Sequence, residues 1–152
     1  MAISHLITAA AEPAPPTSKP RRLGAIALGS FLAFAGTSHL TFAREEFQAQ
    51  VPGWVPMDDD AVVLLSGVEE LSLGAALILL RRRRVPVGLA VAAFFVAISP
   101  GNISQYVTHT DAFGLDTDRA RLVRLLFQPL LVLWALWSTG AWKALRAALK
   151  KG

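Results

Sequence analysis

The sequence contains no cysteine. Disulfide bridges, a thiolate nucleophile, a CxxC redox pair and every thiolate metal site are therefore excluded, leaving histidine, carboxylate and backbone oxygen as potential metal ligands. Charge is scarce too: 17% of the 152 residues are Asp, Glu, Lys or Arg, against 53% hydrophobic, where an ordinary soluble domain carries about 25% charged residues. Histidine is limited to His5, His39 and His109. No acidic spacing matches a calcium loop, so His109, Asp111, Asp116 and Asp118 read as a solvated loop rather than a metal site. The length suits one compact domain, and a soluble core of that size cannot absorb a mean hydropathy of +0.45.

The apolar residues gather into four runs, 23–42, 61–80, 85–103 and 122–142. Each approaches the roughly 20 helical residues needed to cross a hydrocarbon layer of about 30 Å. Backbone groups in a bilayer must bond within their own segment, so runs of this kind predict helices. The expected fold is an all-α membrane protein, a four-transmembrane-helix bundle over 21–143, with the lipid bilayer as its first partner.

The isoelectric point near 10.1 suggests nucleic acid only if the basic residues form a stripe, and they do not. Eleven of the fifteen basic residues flank the spans on one side: Lys19, Arg21 and Arg22, then Arg81 to Arg84, then Lys143, Arg146, Lys150 and Lys151. Acidic residues dominate the other two connections, with Glu45, Glu46 and Asp58 to Asp60 in one and Asp111, Asp116 and Asp118 in the other. The positive-inside rule then predicts both termini in the cytoplasm (N-in/C-in) and both acidic loops outside. A four-arginine turn between spans has no reach for a nucleic-acid partner, and reads as a topology anchor that favours anionic headgroups.

Residues 1–20 are rich in Ala, Pro, Ser and Thr and read as a disordered cytoplasmic tail without the form of a cleavable signal peptide. At the other end, 144–152 pairs Leu145, Ala148 and Leu149 with Arg146 and Lys150, the pattern of a short basic interfacial segment. Asp58 to Asp60 suit the start of the second span as cap and dipole complement. Trp54, Tyr106 and Trp142 suit an interfacial belt, while Trp134 and Trp137 lie too deep for one.

Polar residues inside spans are costly and usually face a bundle interior. His39 closes the first span, Glu69 and Glu70 sit mid-way along the second, Asn102 ends the third behind Pro100, and Arg124 and Gln128 share a face of the fourth with Arg121. Gly67, Glu70 and Gly74 fall within about 60° on the helix, which puts Glu70 on the small-residue face; Glu69 points to a different neighbour or a polar crevice. With the predicted orientation Glu70 lies ~13 Å below the outer end of its span. All these groups occupy the outer half, and the inner half is almost wholly apolar. The expected shape is a funnel, open outward and sealed toward the cytoplasm.

The same segments carry a resemblance. Gly36 to His39, the Val51 to Pro56 stretch (VPGWVP), Ser66 to Leu71 (SGVEEL), Pro100 to Ile103 (PGNI) and Arg124 to Gln128 (RLLFQ) resemble, in order, motifs of the DoxX family of small bacterial membrane proteins over roughly residues 23 to 142. The resemblance implies a DoxX-like four-helix domain in a bacterial cytoplasmic (inner) membrane, with Glu70 at the family's glutamate position and Arg124 and Gln128 at its fourth-helix positions. Glu69 stands where an apolar residue is usual, Leu126 replaces a common proline, and the connection from Thr108 to Arg119 is longer than the pattern. It also implies redox association, as an accessory subunit of a membrane oxidoreductase, although most members have no assigned reaction. Thiol exchange, found among some relatives, is excluded here by the missing cysteines.

Three readings follow. Glu70 pairs with Arg124 and with Asn102, Gln128 or His39 as a buried network that fixes helix register, the work of a purely structural or interaction protein. Alternatively the funnel binds a lipophilic, quinone-like molecule or docks a redox protein partner, with Arg124 and His39 donating to a carbonyl and Glu70 relaying a proton. In the third, Glu69 or Glu70 exchanges protons in a small transporter or membrane enzyme; four spans without a second gate argue against transport unless the protein is a homo-oligomer. The candidate ligand-binding set is His39, Glu69, Glu70, Asn102, Arg124 and Gln128, with no metal.

Overall fold

The computed structural model describes residues 4, 7, 8, 14 and 16–150, so most of the expected tail over 1–20 lies outside the described residues. The elements are α1 (Lys19–Leu40), a short α2 (Arg44–Gln48), α3 (Asp59–Leu79), a 3-10 turn (Arg81–Arg83), α4 (Arg84–Val107), α5 (Asp118–Thr139) and α6 (Ala141–Lys150). Among them α1, α3, α4 with its preceding turn, and α5 are long and apolar enough to cross a membrane. No strand occurs among the described residues.

The spans differ from the sequence expectation mainly at their ends. Pro100 stands inside α4, which runs on to Val107 rather than stopping at Ile103. Proline removes one backbone donor, and the turns around it keep their hydroxyl-to-carbonyl bonds, as in Ser99 Oγ to Phe95 O at 2.9 Å. The fourth span stops at Thr139 rather than Trp142, because Gly140 adopts a left-handed φ of 78° that ends the helix. Trp142 consequently belongs to α6. At the helix starts, the Asp58 carboxylate accepts from the Asp60 backbone N–H at 3.2 Å, and the Thr117 hydroxyl from that of Ala120 at 3.3 Å.

The helices pair most closely as α1 on α3 and α4 on α5. Glycine makes the first pair: a Cβ on Gly36 would lie 2.6 Å from the Gly67 carbonyl oxygen, and one on Gly29 2.7 Å from that of Gly74. Both intervals are seven residues, so the antiparallel backbones meet at two points two turns apart. In the second pair Gly88 faces Thr139. Arg84 Nε donates to the Thr139 carbonyl at 3.1 Å, which satisfies an acceptor at the end of α5.

The apolar core lies toward the end of the bundle that carries the Arg81–Arg84 turn. Leu28 and Leu32 of α1, Leu73 and Leu77 of α3, Phe95 of α4 and Ala135 of α5 are buried there in one cluster. The opposite end carries the acidic connections and is not filled in the same way.

Candidate functional site

At the acidic end the four long helices enclose a cavity of about 1040 Å³, lined mainly by apolar side chains. His39 reaches it from α1, Glu70 from α3, Asn102 from α4, and Arg124 and Gln128 from α5. Five of the six residues expected to form the site therefore meet in one place. Glu69 does not: it is exposed on the outer flank of α3 and lies outside the cavity wall. One residue turns a helix by about 100°, which separates the two neighbouring carboxylates onto different surfaces.

His39 and Glu70 form the polar floor. His39 Nδ1 lies 2.8 Å from Glu70 Oε2 and 2.9 Å from the Ala35 carbonyl oxygen. One ring N–H cannot align with both acceptors, and Glu70 Oε2 has no aligned hydrogen-bond partner. Gln128 Oε1 is the second buried oxygen of the site without a partner. The expected Glu70–Arg124 pair does not form among the described residues. Arg124 instead donates through Nη2 to Gln50 Oε1 at 3.0 Å, and Gln50 Nε2 donates to Gln105 Oε1 at 2.8 Å.

What links the two charged groups is aromatic. The His39 ring stacks on Phe47 with centroids 3.4 Å apart, Phe47 meets Phe113 edge-on at 4.5 Å, and the Arg124 guanidinium lies 4.7 Å above the Phe113 ring. Phe47 belongs to α2 and Phe113 to the connection between α4 and α5. Phe113 holds a left-handed φ of 58°, uncommon for a bulky residue, and its backbone N–H donates to the Glu46 carboxylate. The long third connection thus forms a roof, with Phe113 and Leu115 in the cavity wall.

Charge pairs pin both roof segments to helix ends. Arg44 and Gln48 of α2 donate to Asp60 at the start of α3, and the hydrogen bonds to Asp60 raise the Arg44 guanidinium above its ordinary pKa. Arg121 is turned away from Arg124 and Gln128, toward this loop: it donates to the Thr110 carbonyl at 3.2 Å and to Asp118 at 2.7 Å, and also pairs with Asp111. His109 sits 2.7 Å from Asp118. No cluster of three metal-ligating side chains occurs among the described residues.

Gln50, Phe47 and Phe113 do not stand out in the sequence, because none lies within a hydrophobic span. The nearest signal is the adjoining VPGWVP stretch, from which Val51, Pro52, Trp54 and Val55 join the cavity wall. Trp134, expected to be too deep for an interfacial belt, lines the cavity and donates from its indole to the Gly24 carbonyl at 3.0 Å.

A family model described as a domain of unknown function, DUF8561, matches residues 28–139, and the chain belongs to that family. No curated protein and no solved structure matches it. The matched span covers the five expected residues that meet in the cavity, as well as Gln50 and both roof segments.

Proposed function

We propose that this DUF8561 member is a DoxX-like multi-pass protein of a bacterial cytoplasmic membrane, oriented N-in/C-in, whose cavity opens outward and binds a lipophilic small molecule with a quinone-like head. It acts as a membrane subunit that presents this molecule to a redox partner rather than as an enzyme by itself. The observation that carries the reading is the convergence of His39, Glu70, Asn102, Arg124 and Gln128 in one largely apolar cavity. A few placed polar groups in an apolar wall are the ordinary form of a small-molecule site. Arg124 commits Nη2 to Gln50, while Nε and Nη1 have no hydrogen-bond partner among the described residues and are available to a carbonyl. Beside it, the imidazole–carboxylate pair of His39 and Glu70 suits the holding or relay of a proton.

A purely structural network is the second reading, and the aromatic chain from His39 to Arg124 favours it. Against it stand Glu70 Oε2 and Gln128 Oε1, since a network selected for rigidity gains from satisfying every buried atom. Transport is the weakest reading, because a packed core of Leu28, Leu32, Leu73 and Phe95 lies between the cavity and the basic end.

Mass spectrometry of small molecules co-purified with the wild type and with Glu70→Gln tests the proposal. A lipophile retained by the wild type and depleted in the variant supports it. If neither preparation retains one, and Glu70→Gln changes only stability, the structural network stands instead.

A further inference from the structure

We propose that the occupant of the cavity is a bilayer-dissolved amphiphile with a neutral, hydroxyl-bearing head, the reduced, quinol-like counterpart of the quinone-like head above, and a long apolar chain, entering sideways through a slot between α1 and α5. This rests on the binding reading above and adds the ligand's class and route.

The slot follows from two helix flanks. On α1, Gly24 and Phe31 stand seven residues apart; on α5, Phe127, Trp134 and Ser138 recur at seven and four. Both spacings keep residues on one side of a helix. Toward the basic end these flanks touch: Trp134 bonds the Gly24 carbonyl at 3.0 Å, and a Cβ on Gly24 would lie 2.8 Å from the Trp137 ring. Toward the acidic end the same flanks carry Phe31 and Phe127, both of which line the cavity. The helices are closed at Gly24–Trp134 and part above it.

Phe34 and Leu130 mark the mouth, for each lines the cavity while remaining 65% and 56% exposed. Phe34 stands six residues from the end of α1 and Leu130 twelve from the start of α5, about 9 Å and 18 Å into the helices. An opening at that depth meets acyl chains rather than water.

The head is defined by charge and by open acceptors. One guanidinium, Arg124, and one carboxylate, Glu70, share the cavity, so an ionic head would leave a buried charge uncompensated. Glu70 and Gln128, 5% and 8% exposed, each hold a buried oxygen without a hydrogen-bond partner. A hydroxyl donates to such an oxygen, which a small side-chain rotation brings to the cavity surface, and accepts from Arg124. The volume exceeds what one ring requires and leaves room for the first part of a chain.

The test uses the full chain in lipid nanodiscs and an alkylphenol carrying a diazirine in its tail, compared with its methyl ether, with peptide mapping after photolysis. The expected result is saturable labelling of the peptides containing Phe34 and Leu130, roughly tenfold stronger for the phenol than for the ether, a preference reduced in Glu70→Gln, whose neutral amide oxygen is the weaker acceptor. Leu130→Trp, a change at an exposed position, should cut labelling by about tenfold by narrowing the slot. Labelling confined to Trp54 and Leu115 would overturn the lateral route while leaving the cavity reading intact. Equal labelling by phenol and ether would overturn the hydroxyl-bearing head, and no saturable labelling at all would overturn both this inference and the binding reading.

Discussion

Gly36 and Gly67 pack backbone to backbone: a Cβ on Gly36 would stand 2.6 Å from the Gly67 carbonyl oxygen and 2.9 Å from the Leu71 nitrogen. The helices are antiparallel, so His39, one turn past Gly36, packs beside Gly67, and Glu70, one turn past Gly67, stands at the level of Gly36; the close approach lets imidazole and carboxylate meet across it. Gly36→Ala should therefore lower the thermal midpoint, with a destabilisation of about 1–3 kcal/mol from overpacking, and should weaken ligand retention along with it. Gly53→Ala, where an added Cβ meets nothing within 4 Å, is the control and should leave both unchanged. Thermal unfolding in detergent measures the contrast.

The adjacent glutamates should behave in opposite ways. Glu70 is buried against His39, whereas Glu69 is exposed on the outer flank of α3. A carboxylate facing hydrocarbon is unfavourable by up to about 3 kcal/mol, so Glu69→Leu should leave the protein as stable as the wild type or more so. Glu70→Leu strips His39 of its partner and should destabilise it. If Glu69→Leu instead lowers stability and converts an oligomer to monomers in size-exclusion chromatography, that flank of α3 contacts a second copy rather than lipid.

Gln50 joins the two halves of the site, accepting from Arg124 and donating to Gln105. Gln50→Ala removes a partner from both and should destabilise by about 1–3 kcal/mol. A double-mutant cycle with Gln105→Ala should show coupling of roughly 1 kcal/mol. Additive single effects would mean that the Gln50–Gln105 bond contributes nothing to stability.

Orientation is directly accessible because the chain has no cysteine of its own. Thr108 and Ala147 are both exposed, at opposite ends of the bundle. With an impermeant maleimide on intact cells, Thr108→Cys should label and Ala147→Cys should label only after lysis. The reverse pattern would turn the cavity toward the cytoplasm.

Much of the fold was legible because a bilayer leaves the backbone few options. Four apolar runs predict four helices, and charge separates the basic from the acidic connections. Intramembrane cost singled out six residues, of which His39, Glu70, Asn102, Arg124 and Gln128 reach the cavity and Glu69 does not. Their pairing was less legible. Opposite charge suggested Glu70 with Arg124, yet charge alone carries no distance information: Glu70 meets His39, and Arg124 meets Gln50 and the Phe113 ring.

What the sequence determines by itself is the periodic and compositional part: helices, their lengths to within a few residues, the apolar end and the polar end. Tertiary structure decides what depends on contact between segments distant along the chain. It sends Glu69 to the outside and Glu70 to the inside, brings Gln50 between Arg124 and Gln105, and folds the third connection over the cavity through Phe113. The physical reason is that hydrophobic burial reads local patterns, whereas hydrogen bonds and ring contacts act over a few ångströms. Those distances exist only once α1 has closed on α3 and α4 on α5.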